Sequence, residues 1–215
     1  MQKYVNDKPD KLFWRDTHLY IKGTGAFNYS DFEGDQIIQV AASGPDTKPA
    51  IMMSTVSAIY SATKRVFITT PYFIPVESVL QAIKQVSLSG VDVRLLVPAQ
   101  GDSMIVNAAA YSYYKELLES WVKIYFYEKG FVHSKTIVLD DDLSIVGTAN
   151  MDVRSQELNL EVNTMVYDKI ITEKLAASYF EDLKQSKEIF LKDWKARPKL
   201  KSFFEHLARL FSPVL

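Results

Sequence analysis

One stretch of eighteen residues decides the fold of this chain: His133-Ser-Lys135-Thr-Ile-Val-Leu-Asp140, then Asp-Asp-Leu-Ser-Ile-Val, then Gly147-Thr148-Ala-Asn150. Two short apolar runs flank its Asp-rich turn, which is a hairpin pattern. Alternate residues of an extended strand share a face, so His133 and Lys135 are expected to point the same way. The stretch therefore predicts a hairpin with a histidine and a lysine side by side.

These residue types suit phosphodiester chemistry, which needs a nucleophile, a proton donor for the leaving alkoxide and fixed positive charge. An imidazole is a nucleophile or a general acid near neutral pH. The Lys135 ammonium matches non-bridging phosphoryl oxygens, and an amide N–H of Asn150 adds a second donor. We expect no metal or other cofactor, because Lys135 supplies the charge. Asp140 is open to two roles: a turn residue that caps backbone, or direct electrostatic help.

The rest of the chain alternates apolar strands with amphipathic helices. Strands are predicted at 66–70, 91–97, 122–127, 136–139, 143–146 and 161–166, and helices at 76–88, 104–120 and 172–186. Such alternation predicts an α/β fold, a layered sandwich with a mixed sheet. Tyr72, Phe73, Tyr111, Tyr113 and Tyr114 are expected either in the core or along a channel for an apolar substrate.

Composition narrows the function classes. The 215 residues include no cysteine, so disulfides and thiolate metal sites are excluded. The net charge of -1 gives no overall attraction for nucleic acid, which makes nucleic acid an improbable partner. No apolar run reaches the length of a membrane span, so any membrane contact of these residues is expected to be peripheral.

The eighteen-residue pattern, His-x-Lys-x4-Asp-x6-Gly-Thr-x-Asn, resembles the signature of the phospholipase D superfamily. Three further segments are similar to bacterial cardiolipin synthases: Trp14-Arg15-Asp16-Thr17-His18, Thr70-Pro71-Tyr72-Phe73-Ile74-Pro75 and Asn150-Met-Asp152-Val-Arg154-Ser155. The chain resembles only the C-terminal half of such enzymes. Trp121 is a departure, because glycine is common there.

The resemblance implies a phospholipase D-like α/β/α sandwich that forms one half of a two-domain pseudo-dimer. Each half donates one His-x-Lys set, and acidic residues orient the imidazoles. Glu161 and Asp16 match these acids, and either could serve His133. Thr148, Tyr72 and Phe73 are the expected substrate contacts, and His133, Lys135, Asp140 and Asn150 the expected catalytic set.

Three regions are expected along the chain. Residues 1–35 resemble the end of the first half-domain followed by an altered junction, and residues 36–190 form the phospholipase D-like half-domain. Residues 191–215 read as a basic amphipathic helix, which either lies on an anionic membrane surface or docks on the domain.

The resemblance implies a phosphatidyltransferase that joins two phosphatidylglycerols into cardiolipin through a phosphatidyl-histidine intermediate, at the bacterial cytoplasmic membrane. One His-x-Lys set then requires the missing N-terminal half or a homodimer. Two alternatives stay open: a homodimeric single-motif phosphodiesterase or nuclease, and an inactive half-domain.

Overall fold

The computed structural model describes residues 36–45 and 47–212, in which strands and helices alternate as the sequence predicts. The strands are β1 (Ile37–Ser43), β2 (Arg65–Thr69), β3 (Phe73–Ile74), β4 (Asp92–Pro98), β5 (Lys123–Tyr127), β6 (Thr136–Leu139), β7 (Leu143–Gly147), β8 (Met151–Asp152), β9 (Glu161–Tyr167) and β10 (Ser186–Ile189). The helices are α1 (Ala50–Ser61), α2 (Glu77–Leu88), α3 (Met104–Glu119), α4 (Lys169–Leu183), α5 (Leu191–Lys195) and α6 (Lys199–Arg209). A π-helical turn covers Arg154–Leu158.

The sheet is mixed, as predicted. Eight strands run in the order β1-β9-β7-β6-β2-β4-β5-β10. The pairs β2–β4 and β4–β5 are parallel, and the other neighbours are antiparallel. Strands β3 and β8 form a separate parallel pair beside the predicted site.

Helices cover both faces of the sheet. In β2, Val66 and Ile68 join the larger core cluster beneath α1, α2 and α3, whereas Phe67 packs with Tyr179 of α4. Alternate residues of one strand thus enter two apolar layers, which explains why the central strands read as continuous apolar runs. The predicted α/β/α sandwich is confirmed.

The aromatic residues between β2 and α3 belong mainly to the core. Phe73 is 1% exposed and packs on Tyr114, which is 2% exposed. The expectation that Phe73 contacts substrate is therefore wrong, because its ring is directed into the larger core cluster. Tyr113 is also buried, and Tyr111 is half-buried against Trp194.

Two predicted boundaries need correction. The helix expected at 172–186 is α4, which begins at Lys169 because the Asp168 side chain accepts a hydrogen bond from the Ile171 amide at 2.7 Å. Residue 186 instead starts the edge strand β10. The single helix expected over 191–215 is two helices, α5 and α6, separated at Pro198.

Trp121 occupies a position where the backbone favours glycine. Its φ is 67°, in the left-handed region that a bulky side chain rarely adopts. The residue follows α3, and its side chain is largely exposed. This geometry explains why glycine, which is common at this point in the resembling enzymes, suits the turn.

Asp140 closes the turn after β6. Its carboxylate accepts hydrogen bonds from the backbone amides of Thr63, Lys64 and Arg65 and from the Thr63 hydroxyl. Burial would raise the pKa of Asp140, but these hydrogen bonds hold it below its usual range. Asp140 also has a positive φ of 48°. Of the two roles left open by the sequence, these contacts support the structural one.

Gly147 ends β7 where it approaches β9 closely. A Cβ at this position would lie 2.5 Å from the Val162 carbonyl oxygen and 2.6 Å from the Asn163 Cα. Both are backbone atoms, so neither can move aside without shifting the strand. The glycine of the quoted stretch is therefore required by the packing of β7 against β9.

Asp140→Ala should lower the free energy of unfolding by about 1–3 kcal/mol, because three backbone donors lose their acceptor. The exposed turn residue Asp142 provides the matched control, Asp142→Ala. Because the folded-state pKa is depressed, the contribution is present above the unfolded pKa, about 3.9, and is lost as pH falls through the folded value. Urea unfolding at pH 6 and at stepwise lower pH measures both effects. Equal stability of the two variants at pH 6 would contradict the role.

Gly147→Ala should destabilise the fold by about 1–3 kcal/mol or more, since the methyl group meets backbone. Gly101→Ala is the comparison, because its methyl group would meet the movable side chain of Asn107. Thermal unfolding of the two variants tests this difference. A Gly147→Ala protein as stable as Gly101→Ala would show that β7 and β9 can separate at no cost.

Candidate active site

The hairpin brings the two parts of the quoted stretch together. The Gly147 amide donates to the Lys135 carbonyl at 3.3 Å, and Thr136 pairs with Val146. The segment 131–135 runs into β6, which begins at Thr136. His133 and Lys135 therefore lie at the same end of the sheet as Gly147 and the residues that follow it, separated from Asp140 by the length of β6, roughly 16 Å.

Lys135 is half-buried, and its ammonium donates to the His133 carbonyl oxygen at 2.9 Å. Burial lowers the pKa of Lys135, while the carboxylates of Glu161 and Asp152 oppose this shift. The Lys135 ammonium is partly removed from solvent and is acted on by both of these carboxylates. It is thus suited to receive an anionic phosphoryl group.

His133 is exposed at the rim of the site. Its ring lies 5.6 Å from the ring of Phe131, which lies 6.1 Å from the ring of Tyr72. These aromatic contacts place the imidazole at the surface, beside the loop that carries Tyr72. An accessible imidazole at this position can reach a substrate on either ring nitrogen.

Thr148 and Glu161 form a hydrogen-bonded group beside Lys135. The Thr148 hydroxyl donates to one carboxylate oxygen of Glu161, and Asn159 Nδ2 donates to the other at 3.3 Å. The Thr148 hydroxyl also accepts from the Val162 amide at 3.0 Å. Within the described residues, then, Glu161 is bonded to Thr148 and Asn159 and not to His133. Thr148 holds this carboxylate in place; the other acid that matches the family pattern, Asp16, lies outside the described residues.

Asn150 and Asp152 follow Thr148 along the chain. Asn150 is half-buried, and its Oδ1 has no hydrogen-bond partner among the residues that the structure describes. Asp152 is buried and accepts from the Ser155 amide at 2.7 Å. Burial raises the pKa of Asp152, although hydrogen bonds from Ser155 and Asn150 act in the opposite direction. Asp152 stands in a segment that resembles the cardiolipin synthases but was predicted no role in the site; its position two residues after Asn150 was the available signal.

A cavity of about 340 Å³ opens next to these residues. It is lined by Tyr72, Ile74, Asp102, Ser103, Val106, Asn150, Asp152, Arg154 and Asn159. The Tyr72 hydroxyl donates to Asp102 Oδ2 at 2.7 Å, and burial together with this bond raises the pKa of Tyr72 to about 12. Tyr72 thus lines the cavity, as expected of a substrate contact, whereas its neighbour Phe73 does not.

The site holds nitrogen donors and carboxylates but no grouped metal ligands. Within residues 36–45 and 47–212, no cluster of three or more His, Asp or Glu side chains is arranged to hold a metal ion. Lys135 supplies positive charge at this end of the sheet, and Arg154 lines the cavity. Both side chains are suited to bind an anionic group.

Comparison with known proteins identifies relatives of this chain. Cardiolipin synthase from Alkalihalophilus pseudofirmus is 40% identical over an alignment that covers 94% of this chain and 46% of that protein. The chain thus spans about half the length of this relative.

Two solved structures share the fold. The phospholipase D family member Nuc from Salmonella typhimurium matches with a TM-score of 0.63 and 18% identity, over 73% of this chain and 99% of its own. Phosphatidylserine synthase from Haemophilus influenzae matches with a TM-score of 0.67 and 14% identity, over 84% of this chain and 48% of its own. The fold unit described above is therefore a whole chain in one of these proteins and about half of the other.

The model of the family described as cardiolipin synthase, PLD-like domain, matches residues 55–184, more than half of the chain. These residues include the hairpin, Lys135, Asn150, Asp152 and Glu161. Together with the fold, the match shows that this chain belongs to the cardiolipin synthase family of the phospholipase D superfamily.

Proposed function

We propose that this chain is one half of the catalytic unit of a phosphatidyltransferase that converts two phosphatidylglycerols into cardiolipin and glycerol. The observation that carries the proposal is the hairpin contact that places His133 and Lys135 beside Gly147 and the segment containing Asn150. The 40% identity to a cardiolipin synthase supports the choice of substrate among phosphodiesters.

The proposed reaction has two displacements at one phosphorus. In the first, a histidine nitrogen attacks the phosphoryl group, the bond from phosphorus to the glycerol oxygen breaks, and a second histidine gives that oxygen its proton. In the second, the latter histidine takes the proton from a hydroxyl of another phosphatidylglycerol, whose oxygen attacks phosphorus as the phosphorus–nitrogen bond breaks. We assign the acid and base role to His133 and the nucleophile to the second half.

Lys135 and Asn150 take supporting roles in this proposal. The Lys135 ammonium neutralises the non-bridging oxygens, whose charge persists through both displacements. We propose that the Asn150 side chain, which lines the cavity beside Asp152, donates an amide N–H to the same oxygens. Glu161, held by Thr148 and Asn159, is positioned to orient an imidazole of the second half, because its own His133 is not among its hydrogen-bond partners.

The second half is proposed to pack on the β1, β9 and β7 end of the sheet. Helix α4 covers one face of the sheet at the central strands but leaves part of the same face of β1, β7 and β9 exposed. On that face Val40, Val146 and Val162 are 42%, 39% and 42% exposed. Leu160, next to Glu161, is 85% exposed. Apolar side chains clustered beside a site are typical of a protein interface. A homodimer is the other assembly that would supply a second histidine.

The substrate of the proposed reaction is a membrane lipid, so we place the chain at the bacterial cytoplasmic membrane. Within the part of the chain that the structure describes, no helix combines the length and apolar character needed to cross a bilayer.

His133→Ala should reduce phosphatidyl transfer by about 10²–10⁴-fold in the assembled enzyme, because the proton-transfer group is lost. Lys135→Ala should be comparably damaging. Ser134→Ala, a change in the exposed residue between them, should have little effect. Transfer is followed with labelled phosphatidylglycerol in EDTA, in which wild-type activity should persist. Retention of more than about a tenth of transfer by His133→Ala would refute the site assignment.

The chain as a monomer should show essentially no transfer, because one imidazole cannot act on opposite sides of one phosphorus. Light scattering gives the oligomeric state, and each species is assayed with phosphatidylglycerol and with single-stranded DNA. Adding a separately expressed N-terminal half should restore transfer, and Val162→Asp should prevent this whereas Leu88→Asp, an exposed site on another face, should not. An active monomer would refute the shared site, and a dimer that cleaves only DNA would favour the nuclease alternative.

A further inference from the structure

Helix α6 presents its apolar face to solvent. Leu200, Phe203, Phe204, Leu207, Leu210 and Phe211, on the helix and just after it, are between 44% and 73% exposed. At about 100° per residue, the positions 200, 203, 204, 207 and 211 form one continuous stripe. An ordinary surface helix buries such a stripe against the core, so the orientation of α6 is reversed.

The buried side of α6 is charged. Glu205 is 2% exposed and accepts two hydrogen bonds from the Arg197 guanidinium, at 2.8 and 3.0 Å. Arg209 donates to Glu116 of α3 at 2.8 Å and stacks over the Tyr113 ring, 3.9 Å from its centroid. These groups lie on the side of the helix opposite the apolar stripe.

These ion pairs fix the orientation of the helix. Rotating α6 to bury its phenyl rings would separate the two arginines from their carboxylates, and removing one member of a desolvated pair is costly. The Tyr113 hydroxyl also bonds to Ser212 at 3.2 Å, which holds the chain just beyond the helix. The exposed apolar stripe is therefore a stable property of the fold rather than an incompletely packed end.

Basic side chains surround the stripe. Lys199 and Lys201 are exposed and lie on its two sides, and Lys192 and Lys195 precede them on α5. Over 191–212 the chain has six Lys and Arg residues against one Asp and one Glu. Three nearby carboxylates are already paired: Glu205 with Arg197, Glu116 with Arg209 and Glu119 with Lys195. The exposed charge beside the stripe is thus positive.

We propose that α6 is a docking surface for an anionic lipid bilayer, with its phenyl and leucine side chains inserted among the acyl chains and its lysines at the headgroups. Apolar residues flanked by lysines on one helix face match the chemistry of such a surface. A second copy of this chain fits less well, because a twofold contact through the same stripe would bring Lys199 and Lys201 toward their own copies. The inference takes its lipid partner from the proposed function, but it concerns binding and not transfer.

Vesicle flotation tests the docking. The whole chain is mixed with vesicles of equal parts phosphatidylglycerol and phosphatidylcholine, or of phosphatidylcholine alone, at low and at 0.5 M salt. Wild type should float with the anionic vesicles, and more at low salt. Phe203→Ser with Phe204→Ser should weaken binding at least tenfold, as the loss of two inserted rings requires. Leu88→Ser with Ile170→Ser, which alters exposed apolar residues on α2 and α4, should leave binding unchanged.

Charge and insertion are tested separately. Lys199→Glu with Lys201→Glu should abolish the preference for anionic vesicles, whereas Lys174→Glu with Lys187→Glu, at exposed sites elsewhere, should not. Because the chain has no cysteine, Phe204→Cys carries a single environment-sensitive dye, whose emission should shift to the blue on anionic vesicles. The same dye at Leu88→Cys should not shift.

Three results would overturn the proposal. The first is that the wild-type chain does not bind anionic vesicles, and the second is that the α6 variants bind them as well as wild type does. The third is that the α6 variants differ from wild type only in oligomeric state by light scattering, which would assign the stripe to a second copy of the chain. Circular dichroism establishes that each variant is folded, which the exposure of these positions favours. If the chain docks on anionic vesicles but the reconstituted enzyme shows no transfer, the proposed reaction is refuted and the docking proposal for α6 stands.

Discussion

The close backbone approach of β7 to β9 at Gly147 is the constraint on which the site depends. With no side chain there, the Thr148 amide reaches the Val162 carbonyl at 2.9 Å, and the Gly147 amide reaches Lys135 on the other side. The contacts at this point of the sheet fix Lys135, just before β6, and Thr148, just after β7, and the Thr148 hydroxyl bonds to Glu161 at the start of β9. The hairpin of β6 and β7 and the more distant β9 thus bring these three side chains together where Gly147 lacks a Cβ.

The sequence was most informative where local pattern and tertiary packing agree. The strands at Val66 to Thr69 and Val93 to Val97 are rich in apolar and β-branched residues because most of their side chains are buried on one or the other face of the sheet, so the sequence predicted both strands. The hairpin around Asp140 was likewise predictable from its turn. The edge strand β10 was not predictable from the sequence. It pairs with β5 on one side, and its alternating polar residues are equally compatible with the end of a helix. The start of α4 was misplaced because the Asp168 cap was read as loop.

The sequence indicated which residues form the candidate site better than it indicated how they are arranged. Residue type and spacing pointed to His133, Lys135 and Asn150, yet Phe73 was assigned to the substrate although it belongs to the core, and Asp152 was overlooked. These errors have one cause. The side on which a residue of the short pair β3 and β8 projects depends on α3 beneath it, and no local pattern of two residues contains that information.

Two of the apolar surfaces that the described residues expose have surroundings that argue for different partners. Val40, Val146 and Val162 lie flat on a sheet beside Glu161, where a carboxylate and neighbouring polar groups require a partner with matching donors, as another protein domain provides. The stripe on α6 is convex, rich in phenyl rings and bordered by lysines, and the nearby carboxylates Glu205 and Glu116 are already paired with arginines. A bilayer needs only apolar volume and opposite charge, and it tolerates the loose geometry of long lysine side chains. The attachment of α6 through these partly buried ion pairs is physically consistent with this division, because it leaves the apolar side chains of the helix available for lipid.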